Sequence, residues 1–301
     1  MKRPLGVWIA ASAAVVLLLA MSGRYGFHRD ELYFLMAGRR LDWGFVDQPP
    51  LVPALARLSE LVGGVSPVAL RVVPALAVGS VCLMSASMAR RLGGGSTAQV
   101  VAAATLAGAG VLLGEGHLLS TAVIDFWFWT VALWILVRIL GGDDQRWWLA
   151  LGAVLGLGMW NKLTIATLAA ALVLGLLLTA RRKLLANRWA AFGAVAAVVL
   201  ASPTLLWQAA NDWPQFEMAE ALREGGDGPV AYLLSQPLLL SVVLVVPAAM
   251  GWWRLARSER LRPWQPIAVI YVLVLVTFLV TGGKAYYPAP MYSVLLAAGA
   301  L

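Results

Sequence analysis

The sequence predicts an all-α polytopic membrane protein, and three observations lead to that fold class. Apolar residues make up 61% of the 301-residue chain, whereas charged residues make up 13%. The mean hydropathy of +0.79 is far above that of a soluble domain. Apolar runs long enough to cross the ~30 Å hydrocarbon core of a bilayer recur throughout the chain.

Ten apolar runs predict a bundle of about ten or more transmembrane helices. The first run follows Lys2 and Arg3, as in a signal peptide, but we interpret it as a retained span because similar runs continue to the last residue. The last run stops at Leu301, so we expect residues 1–301 to be the N-terminal part of a longer protein, truncated at its C-terminus. The runs lie near 5–22, 66–89, 97–113, 120–140, 147–161, 163–180, 189–210, 230–252, 266–281 and 291–301.

Lysine and arginine are concentrated in alternate connections, which predicts an orientation in the membrane. With a cytoplasmic N-terminus, the inner segments hold 14 of the 23 basic residues and three of the 15 acids, a net charge of +11. The outer side then carries a net charge of −3. The total of +8 does not indicate nucleic-acid binding, because the basic residues lie in short connections between spans.

The two longest connections, 23–65 and 211–229, both fall on the outer side. In the first, residues 30–41 contain helix-forming residues with an apolar cluster, so we expect a helix on the membrane surface. The run Asp47-Gln48-Pro49-Pro50 then breaks the chain, because Pro50 lacks a donor and restrains the residue before it. A second surface helix is expected over 51–61.

Acidic residues near the outer face are the leading candidates for chemistry. Asp30 and Glu31 follow the first span in the run GFHRDELYF (26–34), and Asp125 lies inside the apolar stretch AVIDFW (122–127). A carboxylate inside a span costs a few kcal/mol unless it faces water or a partner, and such residues are usually functional. Polar groups from six connections or span ends are predicted to face the same side: His28, Asp30, Glu31, Asp47, Gln48, Glu115, His117, Asp125, Asn161, Lys162, Lys284, Tyr286 and Tyr287.

Structural interpretations remain open for several of these residues. Asp30 could cap the surface helix by accepting bonds from its free N–H groups. Glu31 is better interpreted as structural than as catalytic. Lys162 and Lys284 could anchor span ends at the membrane interface.

Metal binding has weaker support in the sequence. His28, Glu115 and His117 could bind a divalent metal together with an aspartate, but their spacing has no zinc signature. Cys82 is the single cysteine and lies within an apolar run, so it allows no internal disulfide and no thiolate cluster. We therefore predict no metal site and no cofactor.

The chain resembles the bacterial membrane glycosyltransferases of family 39, which are related to protein O-mannosyltransferases and to the lipid A aminoarabinose transferase. The matching segments run in order across nearly the whole chain. They are HRDELY (28–33), VDQPPL (46–51), GHL (116–118), DFW (125–127), GMWNK (158–162), PTLLWQ (203–208), NDWP (211–214) and GKAYY (283–287).

The resemblance implies a GT-C bundle spanning residues 1–301 in a bacterial inner membrane, with surface helices in a first periplasmic loop (23–65) and a second sizeable loop (211–229). It implies an inverting transfer of a sugar from a polyprenyl phosphate to a lipid, glycan or protein acceptor at the periplasmic face. The family's acid in the first loop falls on Asp30, the candidate base, with Asp125 as a second acid and Glu31 beside them. Several relatives have lysine where this chain has Gln48, so Lys162, Lys284 or Arg29 would have to supply the positive charge for the phosphate. The predicted substrate-binding residues are His28, Arg29, Asp47, Gln48, His117, Lys162, Lys284, Tyr286 and Tyr287.

Two other classes of protein remain open. A lipid-phosphate flippase or permease would carry ionisable residues deep within its spans and helices broken near the midplane. The acids of this chain lie mostly at the outer face, which favours an enzyme. A non-catalytic assembly protein would leave Asp30 and Asp125 replaceable.

Overall fold

The computed structural model of the chain describes residues 3–224 and 228–301, and the regular secondary structure within them is helical. Lys2 of the predicted cytoplasmic terminus and residues 225–227 of the predicted second loop lie outside the described residues. Short 3₁₀ turns cover Arg182–Leu185, Glu259–Trp264 and Ala289–Met291. The α-helices are α1 Leu5–Ser22, α2 Arg29–Gly38, α3 Leu51–Gly63, α4 Pro67–Arg91, α5 Ser96–Ala107, α6 Gly110–Gly116, α7 Thr121–Leu140, α8 Trp147–Gly158, α9 Ile165–Leu177, α10 Arg188–Ala210, α11 Pro214–Glu224, α12 Gly228–Leu240, α13 Val242–Arg257, α14 Gln265–Thr281 and α15 Tyr292–Gly299.

Every predicted apolar run is occupied by helix, and the protein is a multi-pass membrane protein. Five helices are long and apolar enough to cross a bilayer, or up to seven if each bent pair of helices is one span. Helices α8 and α9 and the segment Ala289–Gly299 are apolar but shorter. A bundle of ten or more spans therefore stays a prediction.

Two of the predicted runs are broken. Helices α5 and α6 meet at 56°, and α12 and α13 meet at 100°. The second break lies at Ser241, which has a positive φ of 78°. Its hydroxyl accepts a hydrogen bond from the Gly110 N–H at 3.1 Å. The two breaks are thus in contact with each other.

Helix α7 occupies the middle of the bundle. In the most apolar 18-residue stretch of α7, 78% of the residues are buried, whereas in that of α10 only 17% are buried. It packs against α4, α8, α9 and the 3₁₀ turn Ala289–Met291. The apolar side chains of α10 instead face outward, as expected for contact with lipid.

Helices α8 and α10 approach each other through glycine. A Cβ atom at Gly152 would lie 1.9 Å from the carbonyl oxygen of Gly193, and one at Gly156 would lie 2.6 Å from that of Ala197. Small residues four apart on both helices allow this close backbone contact. The pair carries the GMWNK segment and the outer end of α10 into the site.

The two ends of the bundle differ in chemistry. At the basic end, Arg91 and Arg138 both pair with Asp143, the latter at 3.0 Å, and Arg260 donates to the Gly93 carbonyl at 2.8 Å. The opposite end, the site end, is formed by the C-terminus of α1 and the N-termini of α4 and α7.

Helices α2 and α3 lie in the connection 23–65, where surface helices are predicted. They pack together at Gly38, where a Cβ atom would lie 2.5 Å from the Pro53 carbonyl oxygen. Hydrogen bonds from Arg39 and Arg57 lower the pKa of Glu60 to about 2. The Arg39–Glu60 ion pair joins the end of α2 to α3, whereas the Arg57–Glu60 pair lies within α3.

Candidate active site

The N-terminus of α2 presents Asp30. His28 is the N-cap of this helix, and its side chain accepts from the Asp30 N–H while Glu31 accepts from the His28 N–H, which forms a capping box. Asp30 therefore does not cap the helix. Its carboxylate is about half exposed and lies 3.2 Å from Nε of Arg29. The helix cap therefore does not use the Asp30 carboxylate.

Glu31 is fully buried and forms an ion pair with Arg71 of α4. Its Oε2 lies 2.6 Å from Nη2 of Arg71, and its Oε1 accepts from Nε at 2.9 Å. It also accepts from the backbone N–H groups of His28 at 2.9 Å and Leu119 at 3.3 Å. These four donors support the interpretation of Glu31 as a structural residue. Its place in the predicted catalytic set stays a prediction.

Arg71 is the important residue that the sequence analysis missed. Its guanidinium donates to the carbonyls of Ser22 at 2.5 Å and Gly26 at 2.8 Å, in addition to Glu31, and lies 4.0 Å from the ring centroid of Tyr25. Its position inside the apolar run 66–89 could have indicated this role, because charged residues within membrane spans usually pair with an opposite charge or with backbone carbonyls.

Asp125 is buried on α7, one turn from its N-terminus. Its Oδ1 accepts from the Trp129 indole N–H at 3.1 Å, and its Oδ2 accepts from the Thr164 hydroxyl at 3.0 Å. Asn161, in the same turn as Thr164, donates to the Thr121 carbonyl at 3.0 Å. The turn between α8 and α9 is therefore fixed against the start of α7.

Lys162 lies in that turn, with its ammonium over two aromatic rings. Its Nζ is 4.0 Å from the ring centroid of Tyr287 and 5.0 Å from that of Tyr286. Burial lowers the pKa of Lys162, while the negative charges of Asp125 and Glu115 act in the opposite direction. The ammonium thus lies over two aromatic rings, within electrostatic range of two carboxylates.

Tyr286 is a tyrosine whose phenol is influenced both by these groups and by Asp30. Burial raises the pKa of the Tyr286 phenol, and Tyr287 and the negative charges of Glu115, Asp125 and Asp30 raise it further. Asp30 therefore lies within electrostatic range of the same tyrosine as Asp125. The structure brings together residues that are nearly a hundred positions or more apart in the chain.

The segment Asp47-Gln48 lies beside α2. The Tyr33 hydroxyl donates to Asp47 at 2.6 Å, and burial followed by this bond raises the pKa of Tyr33. Gln48 is buried next to the same phenol and acts on its pKa in the opposite direction. Asp47 and Gln48 thus both act on Tyr33.

The remaining predicted site residues are less closely involved. His117 caps the end of α6, with its ring nitrogen on the Gly114 carbonyl. The side chains of Arg29 and Lys284 are exposed. No group of three metal-ligating side chains occurs in residues 3–224 and 228–301.

The sequence profile of the dolichyl-phosphate-mannose-protein mannosyltransferase family matches residues 47–207, more than half of the chain. The chain belongs to this family. The predicted membership among the family 39 glycosyltransferases is thereby confirmed. The match covers Asp47, Asp125 and Lys162, and the segment with Asp30 precedes it. No curated protein sequence matches this mannosyltransferase-family chain.

Solved structures share its fold. ArnT from Cupriavidus metallidurans bound to undecaprenyl phosphate has a TM-score of 0.78 and 18% identity, over 97% of this chain and 58% of that chain. The apo form of ArnT gives a TM-score of 0.79 and 19% identity over the same shares. The archaeal oligosaccharyltransferase AglB from Archaeoglobus fulgidus, in complex with an inhibitory peptide and a dolichol-phosphate, gives 0.67 and 14%, over 98% of this chain and 50% of that chain.

The predicted GT-C fold is confirmed by these likenesses. This member of the mannosyltransferase family spans between half and three fifths of the length of the structures that it matches.

Proposed function

We propose that the protein is an inverting glycosyltransferase that moves a sugar from a polyprenyl phosphate to an acceptor at the periplasmic face of the membrane. The observation that carries this proposal is the grouping of the Asp30 carboxylate with Lys162, Asp125 and the Tyr286–Tyr287 pair at one end of the bundle. Membership of the mannosyltransferase family and the undecaprenyl phosphate in the ArnT structure support it.

Asp30 acts as the general base in this mechanism. The acceptor hydroxyl attacks the anomeric carbon, its proton passes to the Asp30 carboxylate, and the bond from that carbon to the phosphate oxygen breaks on the opposite face. The phosphate leaves with the electron pair, so the new glycosidic bond has inverted configuration. Partial exposure allows Asp30 to reach the acceptor, and general bases contribute about 10²- to 10⁴-fold.

Lys162 stabilises the leaving phosphate. Its ammonium lies 4.0 Å from the ring centroid of Tyr287 and within electrostatic range of Asp125. A preorganised cation stabilises charge more strongly where water is excluded. The negative charges of Asp125 and Glu115 favour the charged form of this lysine, against the effect of its burial. In this arrangement Asp125 acts through Lys162 and through the bond from Thr164, and not as a second base.

The test compares the full-length wild-type protein with Asp30→Asn, using undecaprenyl phosphates that carry labelled sugars. We expect Asp30→Asn to insert normally and to lose transfer or donor hydrolysis by ~10²-fold or more. Asp144→Asn is the matched control, because Asp144 lies at the basic end and caps a turn by accepting from Arg146. Sugar transfer at the wild-type rate by Asp30→Asn would show that Asp30 is not the general base.

A lipid-phosphate flippase is the second candidate, because such a carrier has broken helices and two helix pairs of this protein are bent. A proton-coupled carrier also needs ionisable residues near the midplane of the membrane. The breaks at 108–109 and Ser241 are flanked by apolar residues and glycine instead, which favours the enzyme. Movement of labelled undecaprenyl phosphate across vesicles without covalent change, equal in wild type and Asp30→Asn, would favour this candidate.

A further inference from the structure

Four arginines lie where α13 ends and the 3₁₀ turn Glu259–Trp264 begins, and they fall into two pairs. Arg254 and Arg260 donate to backbone carbonyls of neighbouring segments, at 2.7 Å and 2.8 Å. Arg257 and Arg262 make no hydrogen bond and no ion pair within the part of the chain that the structure describes. The first pair thus fastens α13 and the turn to their neighbours, and the second pair does not.

The second pair of arginines lines a pocket at the basic end of the bundle. The pocket has a volume of about 220 Å³, and its lining includes Ser258 and Gln265 beside Arg257 and Arg262. Glu259 adds a carboxylate to the lining, but it is not within ion-pair distance of either arginine among the described residues. The pocket therefore presents two positive charges that its carboxylate does not neutralise by contact.

The helices that form this pocket are connected by bonds that do not involve its arginines. The Gln265 amide donates to the Ala256 carbonyl at 3.2 Å, and the Trp252 indole N–H donates to the Ala268 carbonyl at 3.1 Å. Both bonds join the last part of α13 to the first turn of α14. Replacing the exposed arginines of the lining therefore leaves these connections in place.

An exposed apolar stripe of α13 leads to the pocket. Its members follow one another at spacings of three or four residues and so lie on one face of the helix: Val243, Val246, Met250 and Trp253. The next position on that face is Arg257, whose guanidinium carbon lies 5.4 Å from the ring centroid of Trp253. An exposed tryptophan beside a cation is typical of the boundary between hydrocarbon and headgroups.

The length of the apolar stripe matches one leaflet of a bilayer. At 1.5 Å per residue, the helix rises ~15 Å from Val243 to Trp253. The hydrocarbon core is ~30 Å thick, so each leaflet contributes ~15 Å. Beyond Val243 the stripe ends at the break near Ser241, where α12 and α13 meet at 100°. A single acyl chain can thus lie along the stripe while its headgroup reaches the pocket.

The chemistry of the pocket suits a phosphate group. A guanidinium donates two parallel hydrogen bonds to phosphate oxygens, and basic pockets between membrane helices bind anionic lipid headgroups. A free phosphate ion would fill the pocket only and would make no use of the apolar stripe. The continuity of stripe and pocket therefore favours a lipid over a soluble anion.

We propose that Arg257 and Arg262 bind the phosphate of an anionic phospholipid, whose acyl chain lies along the apolar stripe of α13. The site is at the basic end of the bundle, opposite the proposed active site, and the inference does not depend on the proposed glycosyltransferase function. Phosphatidylglycerol has the required negative headgroup. Phosphatidylcholine has the same phosphodiester but adds an ammonium group, which the two arginines repel.

The test measures lipid binding to the full-length protein in neutral detergent by native mass spectrometry. The probes are phosphatidylglycerol and phosphatidylcholine with identical acyl chains. We expect the wild type to prefer phosphatidylglycerol. The double variant Arg257→Gln with Arg262→Gln should lose about tenfold or more of its affinity for that lipid, because two cations are removed from the headgroup. Phosphatidylglycerol should raise the melting temperature of the wild type more than that of the double variant.

Two further variants separate the pocket from the general charge of the basic end. Arg182→Gln with Lys183→Gln removes the same charge from exposed residues of another turn that does not line the pocket, and it should bind phosphatidylglycerol like the wild type. Glu259→Gln removes the carboxylate from the lining and keeps both arginines. Its affinity for phosphatidylglycerol should rise, by up to about fivefold.

Four results would overturn the inference. Equal binding of phosphatidylglycerol by the wild type and the double-arginine variant would show that the pocket holds no such lipid. An equal loss in the control at 182–183 would assign binding to the general positive charge. Unchanged or weaker binding by Glu259→Gln would exclude a headgroup next to that carboxylate. Displacement of phosphatidylglycerol by inorganic phosphate or by undecaprenyl phosphate, at lower concentration than by phosphatidylglycerol itself, would assign the pocket to that other ligand.

Discussion

At the scale of single residues, neighbouring acids acquire opposite roles from their surroundings. Asp30 is partly exposed and faces Arg29 and His28. Glu31 is enclosed by Arg71 and two backbone donors. Breaking a buried ion pair leaves an uncompensated charge, which is strongly destabilising. We therefore expect Glu31 to hold the start of α2 in place.

Glu31→Ala is expected to destabilise the protein by about 3–5 kcal/mol, because Arg71 keeps its charge without the carboxylate. Thermal unfolding in detergent would measure this loss as a lower melting temperature. Asp30→Asn, one residue away, should leave the melting temperature unchanged while transfer is lost. Equal stability of the two variants would contradict the structural role of Glu31.

The lowered pKa of Lys162 predicts a pH limit for donor binding. The ammonium must be charged to bind phosphate, so kcat/KM should fall as pH rises through the pKa of this lysine in the free enzyme. Burial places that limit below the ordinary lysine value of about 10.4. Lys162→Arg keeps its charge at every accessible pH, so its alkaline limb should move upward. If the alkaline fall of kcat/KM occurs at the same pH in Lys162→Arg, a group other than Lys162 causes it.

At the scale of helices, close contact between α8 and α10 places the turn that carries Asn161 and Lys162. Gly152→Ala should force these helices apart, because the added carbon meets the Gly193 carbonyl. Overpacking of this kind costs about 1–3 kcal/mol. The expected readouts are a lower melting temperature and weaker donor binding.

Gly114→Ala is the matched control for that substitution. Gly114 also lies in a helix, but a Cβ atom there meets nothing within 4 Å. The alanine should raise stability slightly, since glycine is the poorer helix former. If Gly152→Ala and Gly114→Ala lower the melting temperature and donor binding equally, the close packing of α8 on α10 is not the cause of the loss.

At the scale of the whole molecule, the charge distribution predicts which end of the bundle faces the periplasm. Arg24→Cys, at the exposed end of α1, should react with an impermeant thiol reagent applied from the periplasm, and Ser96→Cys should not. The native Cys82 is buried and gives little background. The reverse labelling pattern would place the proposed site in the cytoplasm.

Much of this architecture could be predicted from composition and spacing. Apolar runs mark the helices because a bilayer requires about twenty apolar residues with satisfied backbone groups. Asp30, Asp125 and Lys162 could be assigned to one face because each lies at a predicted outer end. The breaks at Ser241 and near Gly108 were not predicted, since both runs are uniformly apolar and the bends depend on contacts between distant helices.

The sequence by itself determined the membrane-spanning helical class, the family and the side of the bundle on which the acids gather. These properties depend on hydropathy, charge counts and short motifs, which are local in the chain. Only the tertiary structure decided that Glu31 pairs with Arg71, that the Lys162 ammonium lies over the Tyr287 ring, and that Asp125 accepts from Trp129 and Thr164. Each depends on which helices pack together, and side chains forty or more residues apart meet only when the bundle has formed.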